Sequence, residues 1–186
     1  MQKLETYTDQ GLLEMMQGSK PKADAAFTEI YNRYARRINT YCIGMIADRD
    51  DAQDIFQETF VKFYNSVSGR THAGNLGGLI YTIARNLCMN YFNRKHMTVP
   101  FDGHDIISDY SRDYDKNELF KLILTSLDLL DDKYREAYIL RELDCLPYQE
   151  IAEICGITLS NAKSRVDRAR DKMMSILEPY VKDLCK

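Results

Sequence analysis

Apolar residues recur along this chain at steps of three and four, the spacing that gathers side chains on one face of an α-helix. Thr8 or Asp9 can cap a first helix bearing Leu12, Leu13, Met15 and Met16, and the stretch from Gly18 through Pro21 breaks it. A second helix is predicted from about Ala23, with Phe27, Ile30, Tyr31, Tyr34, Ile38 and Tyr41 in its stripe. A third starts near Asp50 and turns Ile55, Phe56, Phe60 and Phe63 to one side. Ser66 to Asn75 is rich in turn residues and reads as a loop. A fourth helix follows, with Leu79, Ile80, Ile83, Leu87 and Tyr91 inward, ending near His96. From Met97 to Lys116 the periodicity fails, and Pro100, Gly103 and spaced aspartates describe an acidic linker. Helical pattern resumes at Glu118 with Leu119, Leu122, Ile123, Leu127 and Leu130, then runs through Tyr134–Leu143, Pro147–Cys155 and Leu159–Leu177. No alternation of period two lasts long enough to propose a sheet. The expected fold is all-α: two small helical domains, 1–96 and 118–186, joined by an acidic linker over 97–117.

Charge adds a second pattern. The net charge of −3 argues against a protein that coats nucleic acid by bulk attraction. The charges are nevertheless sorted along the chain. Between Thr59 and Phe101 there is no Asp or Glu, while Lys62, Arg70, Arg85, Arg94 and Lys95 are basic. Asp48, Asp50, Asp51, Asp54 and Glu58 form an acidic cluster before this segment, and Asp102, Asp105, Asp109, Asp113 and Asp115 form another after it. Such sorting points to several partner surfaces on one chain. Composition excludes more than it proposes. No apolar run approaches the roughly 18 residues of a membrane span, and the first residues lack a signal peptide's apolar core, so a cytoplasmic protein is expected. Cys42, Cys88, Cys145, Cys155 and Cys185 form no CxxC pair and read mostly as buried free thiols. His72, His96 and His104 are scattered, leaving no zinc-ligand spacing.

The segment PYQEIAEICGITLSNAKSRVDRAR has the internal logic of a helix-turn-helix. Pro147 suits a helix start, Ala152 is small where a second helix must cross, and Gly156 can take the positive φ that ends the first. Ser160 or Thr158 can cap the second helix, whose Ala162, Val166, Ala169 and Met173 face inward. Its outer side carries Lys163, Ser164, Arg165, Arg168, Arg170 and Lys172, which suits phosphates and base edges of a major groove. A solvated basic face on a small bundle is the alternative. Asp167 either pairs along the helix with Arg170 or Lys163, or accepts from a cytosine amine.

RELDCLPYQEIAEICGITLSNAKSRVDRAR resembles region four of the extracytoplasmic-function (ECF) sigma factors of bacterial RNA polymerase. AFTEIYNRYARRI, DRDDAQDIFQETFVKFY and LIYTIARNLCMNYFNRK are similar to region two of the same family, in the same order. The resemblance implies that Asp51, Gln53, Asp54, Gln57 and Glu58 face a coiled coil of the polymerase largest subunit. It implies that the promoter element nearest the start site meets the loop and fourth helix, through Ser68, Arg70, Asn75, Arg85, Asn86 and Asn90. The farther element would meet Ser160, Asn161, Lys163, Ser164, Arg165 and Arg168, with Arg141 on phosphate. The linker resembles the segment that threads toward the polymerase active centre, where its charge would mimic RNA. The implied partners are core RNA polymerase and promoter DNA, with an anti-sigma factor as a family-level expectation; no cofactor is implied.

The chain departs from the family in several places. It has no tryptophan where the family often does: Phe63–Tyr64 and Leu79–Ile80 stand there. Gly77–Gly78 replaces bulkier residues and is expected to loosen the fourth helix, and Asn161–Ala162 replaces a commoner Gly/Thr–Val pair. These changes bear on promoter preference. A stand-alone regulator with a sensory N-terminal domain is the competing class, opposed by the acid-free segment and by the lack of a ligand-pocket signature. No Ser/His/Asp, Cys/His, metal or phosphate-loop constellation supports an enzyme.

Overall fold

A computed structural model of the chain describes residues 4–67, 75–98 and 118–184. Among these residues there are eight α-helices and no strand: α1 (Asp9–Met16), α2 (Lys20–Met45), α3 (Arg49–Val67), α4 (Leu76–Thr98), α5 (Glu118–Asp128), α6 (Asp132–Tyr138), α7 (Tyr148–Cys155) and α8 (Leu159–Leu184). Ser68 and Arg70, Cys185 and residues 99–117 of the linker lie outside the described residues.

The N-terminal half, α1 to α4, is a bundle around α2. The α1 start is set by Thr8, whose hydroxyl accepts from the Gly11 N–H at 3.2 Å, while Leu12, Leu13 and Met16 are buried. Gly18 to Pro21 separates the first two helices less than its composition suggests. Pro21 stands in the first turn of α2, where its missing N–H has no intrahelical acceptor to lose. The acidic start of α3 is capped by Asp48, whose carboxylate accepts from the Asp50 and Asp51 N–H groups at 3.0 Å each. Phe27 and Tyr31 of α2 meet Phe60 of α3, with ring centroids 6.3 and 4.8 Å apart. Phe63 is fully buried, and Tyr64 lies edge-on to Phe27 at 5.2 Å. Aromatic pairs of this kind add roughly 0.5–1.5 kcal/mol each beyond their buried area.

Helix α4 begins where the expected loop ends and closes within two residues of the expected end. It begins at Leu76 despite Gly77 and Gly78, because the Asn75 side chain accepts from the Gly78 N–H at 3.0 Å and caps it. It also continues through Thr98, past the expected end near His96. Its buried residues are Leu76, Ile80, Tyr81, Ala84, Leu87 and Cys88, whereas Leu79, Ile83 and Tyr91 are only half-buried. The face is rotated and broadened because α4 packs against α2 and α3 on one side and α7 on another.

The C-terminal half, α5 to α8, packs α6 and α7 against α8. The stretch expected as one helix from Tyr134 to Leu143 changes character at Ile139. Ile139–Leu143 winds more widely, with the Asp144 N–H reaching the Ile139 carbonyl at 3.0 Å. Helix α7 ends on Gly156 at φ 66°, a left-handed conformation that side chains with a Cβ resist. Thr158 rather than Ser160 caps α8: its hydroxyl accepts from the Asn161 N–H at 3.2 Å. The inward stripe Ala162, Val166, Ala169 and Met173 is buried as expected. Of the cysteines, Cys42, Cys88 and Cys155 are buried free thiols and Cys145 is exposed. The two halves are not separate beads: α2 touches α5, α6 and the Ile139–Leu143 turn, and α4 touches α7.

Candidate polymerase and nucleic-acid interfaces

Helix α3 presents its acidic side outward because the apolar residues at the intervening positions are drawn into the bundle. Gln53, Asp54, Gln57 and Glu58 are exposed at i, i+1, i+4 and i+5, which places them on one strip. Val61, 59 % exposed, continues the strip one turn on. Glu58 pairs along the helix with Lys62 at 3.0 Å. Asp51 is set apart: half-buried, it accepts from the Tyr91 hydroxyl at 2.9 Å and ties α3 to α4. Four of the five expected contact residues therefore share an open face, and the fifth braces that face from behind.

On α4, Asn86 and Asn90 are exposed one turn apart, beside an open cleft of about 360 Å³ lined by Glu58, Lys62, Leu87, Asn90, Asn93 and Arg94. Amide and cationic groups around an apolar floor can hold a base plane and its phosphate. Lys62, Asn93 and Arg94 were not singled out as contacts from sequence; Lys62 and Arg94 were visible there only as members of the acid-free segment. Asn75 and Arg85 are placed differently. Asn75 is committed to capping α4. The Arg85 guanidinium turns inward, with its Nε 2.9 Å from Glu136 Oε1.

On α8, Ser160, Asn161, Lys163 and Arg168 are exposed, with Ser164 and Arg165 half-buried beside them. Asp167 lies 3.6 Å from Arg170, but Arg170 is held mainly by Glu142, which accepts from its Nε and Nη2 at 3.0 and 2.7 Å. The hydrogen bond to Glu142 raises the Arg170 pKa. Arg141 is half-buried rather than extended: it donates to the Leu146 carbonyl at 2.8 Å and lies over the Tyr148 ring at 4.6 Å. This anchors the start of the helix-turn-helix.

Comparison with known proteins decides what these surfaces belong to. The model of sigma-70 region 2 matches residues 30–97, and that of sigma-70 region 4 matches residues 120–173. The chain belongs to the extracytoplasmic-function sigma factors. It is 27 % identical over 193 residues to the ECF RNA polymerase sigma-E factor of Haemophilus influenzae, covering 95 % of this chain and 99 % of that one. It is 28 % identical over 160 residues to the ECF sigma factor SigM of Bacillus subtilis, covering 83 % of this chain and 97 % of that one. Among solved structures it is similar to the sigma factor RpoE of Bartonella quintana in complex with the anti-sigma factor NepR. There the TM-score is 0.71 and the identity 26 %, covering 82 % of this chain and 96 % of that one. The structure of CnrH in complex with the cytosolic domain of CnrY shares the fold, with TM-score 0.70 at 16 % identity, over 92 % of this chain and 97 % of that one.

The sigma factor accordingly binds core RNA polymerase and recognises promoter DNA to start transcription. Its regions two and four meet in a polar seam that sequence reasoning missed. Glu136 of α6 is buried, pairs with Arg85 and accepts from the Tyr41 hydroxyl at 3.0 Å. Burial first and Glu136 second push the Tyr41 pKa well above the usual phenol range. Arg135, also buried, donates to Met45 of α2 and to Leu127, Asp128 and Leu130 at the end of α5, at 2.9, 2.9, 2.9 and 3.3 Å. Asp144 is buried against Tyr81 and Arg37, and burial pushes its pKa up to about 6 while Tyr81 and Arg37 act to lower it. The only local sign of these groups was charge inside apolar runs, as in REAYIL.

Proposed function

We propose that the exposed strip Gln53–Asp54–Gln57–Glu58 of α3 is the surface that grips core polymerase, with Asp51 setting the helix in place. Its acidic character and the apolar Val61 suit a basic partner helix. The near promoter element is read by Asn86 and Asn90 together with the cleft residues Lys62, Asn93 and Arg94, and the far element by Ser160, Asn161, Lys163, Ser164, Arg165 and Arg168. The observation that carries this reading is that the polymerase set lies on one exposed strip of α3, the near-element set lines and flanks the open cleft between α3 and α4, and the far set lies along α8 with Ser160, Asn161, Lys163 and Arg168 exposed. Ser68 and Arg70 keep their expected role beside the near element, and Arg141 acts by fixing the α7 start and reaches phosphate only from that anchored position.

The sigma factor does no covalent chemistry itself; binding and strand capture are its work, and nucleotide addition belongs to the core enzyme. It acts in the cytoplasm, where polymerase and promoters are; no helix among the described residues is long and apolar enough to cross a membrane. The likeness to RpoE, whose structure was solved with NepR, supports an anti-sigma partner for this chain too.

Footprinting of the reconstituted holoenzyme on a promoter tests the assignment. Lys163→Ala with Arg168→Ala is expected to weaken protection at the far element and Asn86→Ala with Asn90→Ala at the near one. Equal loss at both elements from either pair would refute the division of labour.

A further inference from the structure

We propose that Asp167 of α8 selects a cytosine in the far promoter element, accepting a hydrogen bond from the N4 amine of that base in the major groove. This specificity rests on the reading of α8 as the far-element surface and adds a base identity to it.

The placement of Asp167 follows from the stripe that holds α8. Ala162, Val166 and Ala169 are fully buried, so the residues between them on the other side of the helix point outward. Ser160, Lys163 and Asp167 are exposed at steps of three and four and form one line along that side. Half-buried Ser164 and exposed Arg168 flank the line. The carboxylate therefore stands inside the proposed contact set and not at its edge.

Partners within the protein do not account for it. Arg170, three residues on, has its Nη1 3.6 Å from Asp167 Oδ1, beyond hydrogen-bond reach. The other two Arg170 nitrogens donate to Glu142 at 3.0 and 2.7 Å and hold the guanidinium toward the Ile139–Leu143 turn. Among the described residues no ion pair joins Asp167 to Lys163, one turn earlier. The Asp167 side chain is 66 % exposed, and an ion pair so open to water contributes little to a helix.

An acid at this position works against the helix unless it meets a base. Lys163, Arg165 and Arg168 draw a phosphate backbone toward α8, and a carboxylate among them opposes that attraction. In the major groove guanine shows only the acceptors N7 and O6, and thymine shows O4 and a methyl group. A carboxylate, which only accepts, has nothing to bond on either. Adenine sets its N6 amine beside the N7 acceptor, whereas cytosine offers the N4 amine alone. Asp167 thus matches cytosine and disfavours the other three bases by repulsion as well as by lost bonding.

Reconstituted holoenzyme is first selected on promoter duplexes randomised over the far element. Its affinity is then measured with each of the four bases at every selected position. Wild type is expected to favour cytosine at one position by about tenfold, the change that roughly 1.4 kcal/mol produces. Asp167→Ala should level the four bases at that position alone, keep the other preferences, and bind the disfavoured duplexes more tightly than wild type. Asp167→Asn should gain affinity for adenine there, since an amide can bond N6 and N7 together. Asp171→Ala removes the next exposed acid on α8 and should leave every preference in place. An Asp167→Ala profile that matches wild type, or an affinity that changes equally for all sequences, overturns the proposal. So does a loss of the cytosine preference in Asp171→Ala. Wild type that selects no far-element sequence overturns the reading of α8 as the far-element surface, and the proposal with it.

Discussion

Arg135→Met probes the side chain on which most of the seam's architecture converges. The Arg135 fork donates to four main-chain carbonyls, from Met45 in region two and from Leu127, Asp128 and Leu130 in region four. Methionine fills similar space but donates nothing, so these carbonyls lose a cationic donor at the ends of α2 and α5. Charge-assisted hydrogen bonds contribute about 1.5–3 kcal/mol each, and unsatisfied buried groups cost about 1–3. The four do not add in full, because the Asp128 carbonyl is part-buried and can recruit water. Removing one partner of a buried charged network costs roughly 3–5 kcal/mol, and that range is the expected loss. Against a total stability of about 5–15 kcal/mol, it moves the unfolding midpoint far enough to be read in urea by circular dichroism. Arg135→Lys is expected to fall between, since an ammonium cannot reproduce the planar fork. A loss below about 1 kcal/mol for the methionine variant would show that the fork is incidental and refute this reasoning.

Further expectations follow from other sites. The Asp144 pKa is raised to about 6 from 3.8. Its contribution to the stability of the packed seam is therefore fully present below the unfolded value and is lost as pH rises through about 6, up to roughly 3 kcal/mol in all. The share of urea stability owed to this site should grow from pH 7.5 to pH 5, with Tyr81 and Arg37 as the groups facing the carboxyl, and Asp144→Asn should remove that share. Lys163→Ala and Arg168→Ala should each lower the slope of log affinity against log salt by about 0.9 where they meet a phosphate; an unchanged slope would remove that residue from the DNA face. Gly156→Ala should destabilise region four by about 1–2 kcal/mol because of its φ of 66°, and no change in thermal midpoint would contradict the strained-turn assignment.

Local pattern foretold the helices well where each is held by a single face. The α1 cap at Thr8, the α3 stripe and the Gly156 turn were all readable, because cap, period and positive φ are properties of a few neighbouring residues. Legibility failed where two distant segments shape each other. The α4 stripe was read one-sided, yet Tyr81, Ala84 and Cys88 are buried too because α7 and α2 cover them. Glu136 and Tyr41 are 95 residues apart, and nothing in either neighbourhood announces the pairing. Arg85 looked like a free cation in an acid-free run and is instead committed to the seam. Sequence spacing likewise could not show that Arg141 folds back on Leu146, or that Asp51 is held by Tyr91, since both depend on where a turn or a neighbouring helix lies.

The proposed function depends most on α3 as the helix through which this chain directs RNA polymerase. The most direct test is promoter-dependent transcription by core enzyme supplied with wild type or with Asp54→Arg, alongside the affinity of each for core. Asp54 is exposed, so the variant should fold normally while losing core affinity and promoter-specific transcripts by at least about tenfold, the effect of a change of roughly 1.4 kcal/mol. A folded Asp54→Arg that binds core and transcribes like wild type would contradict the account.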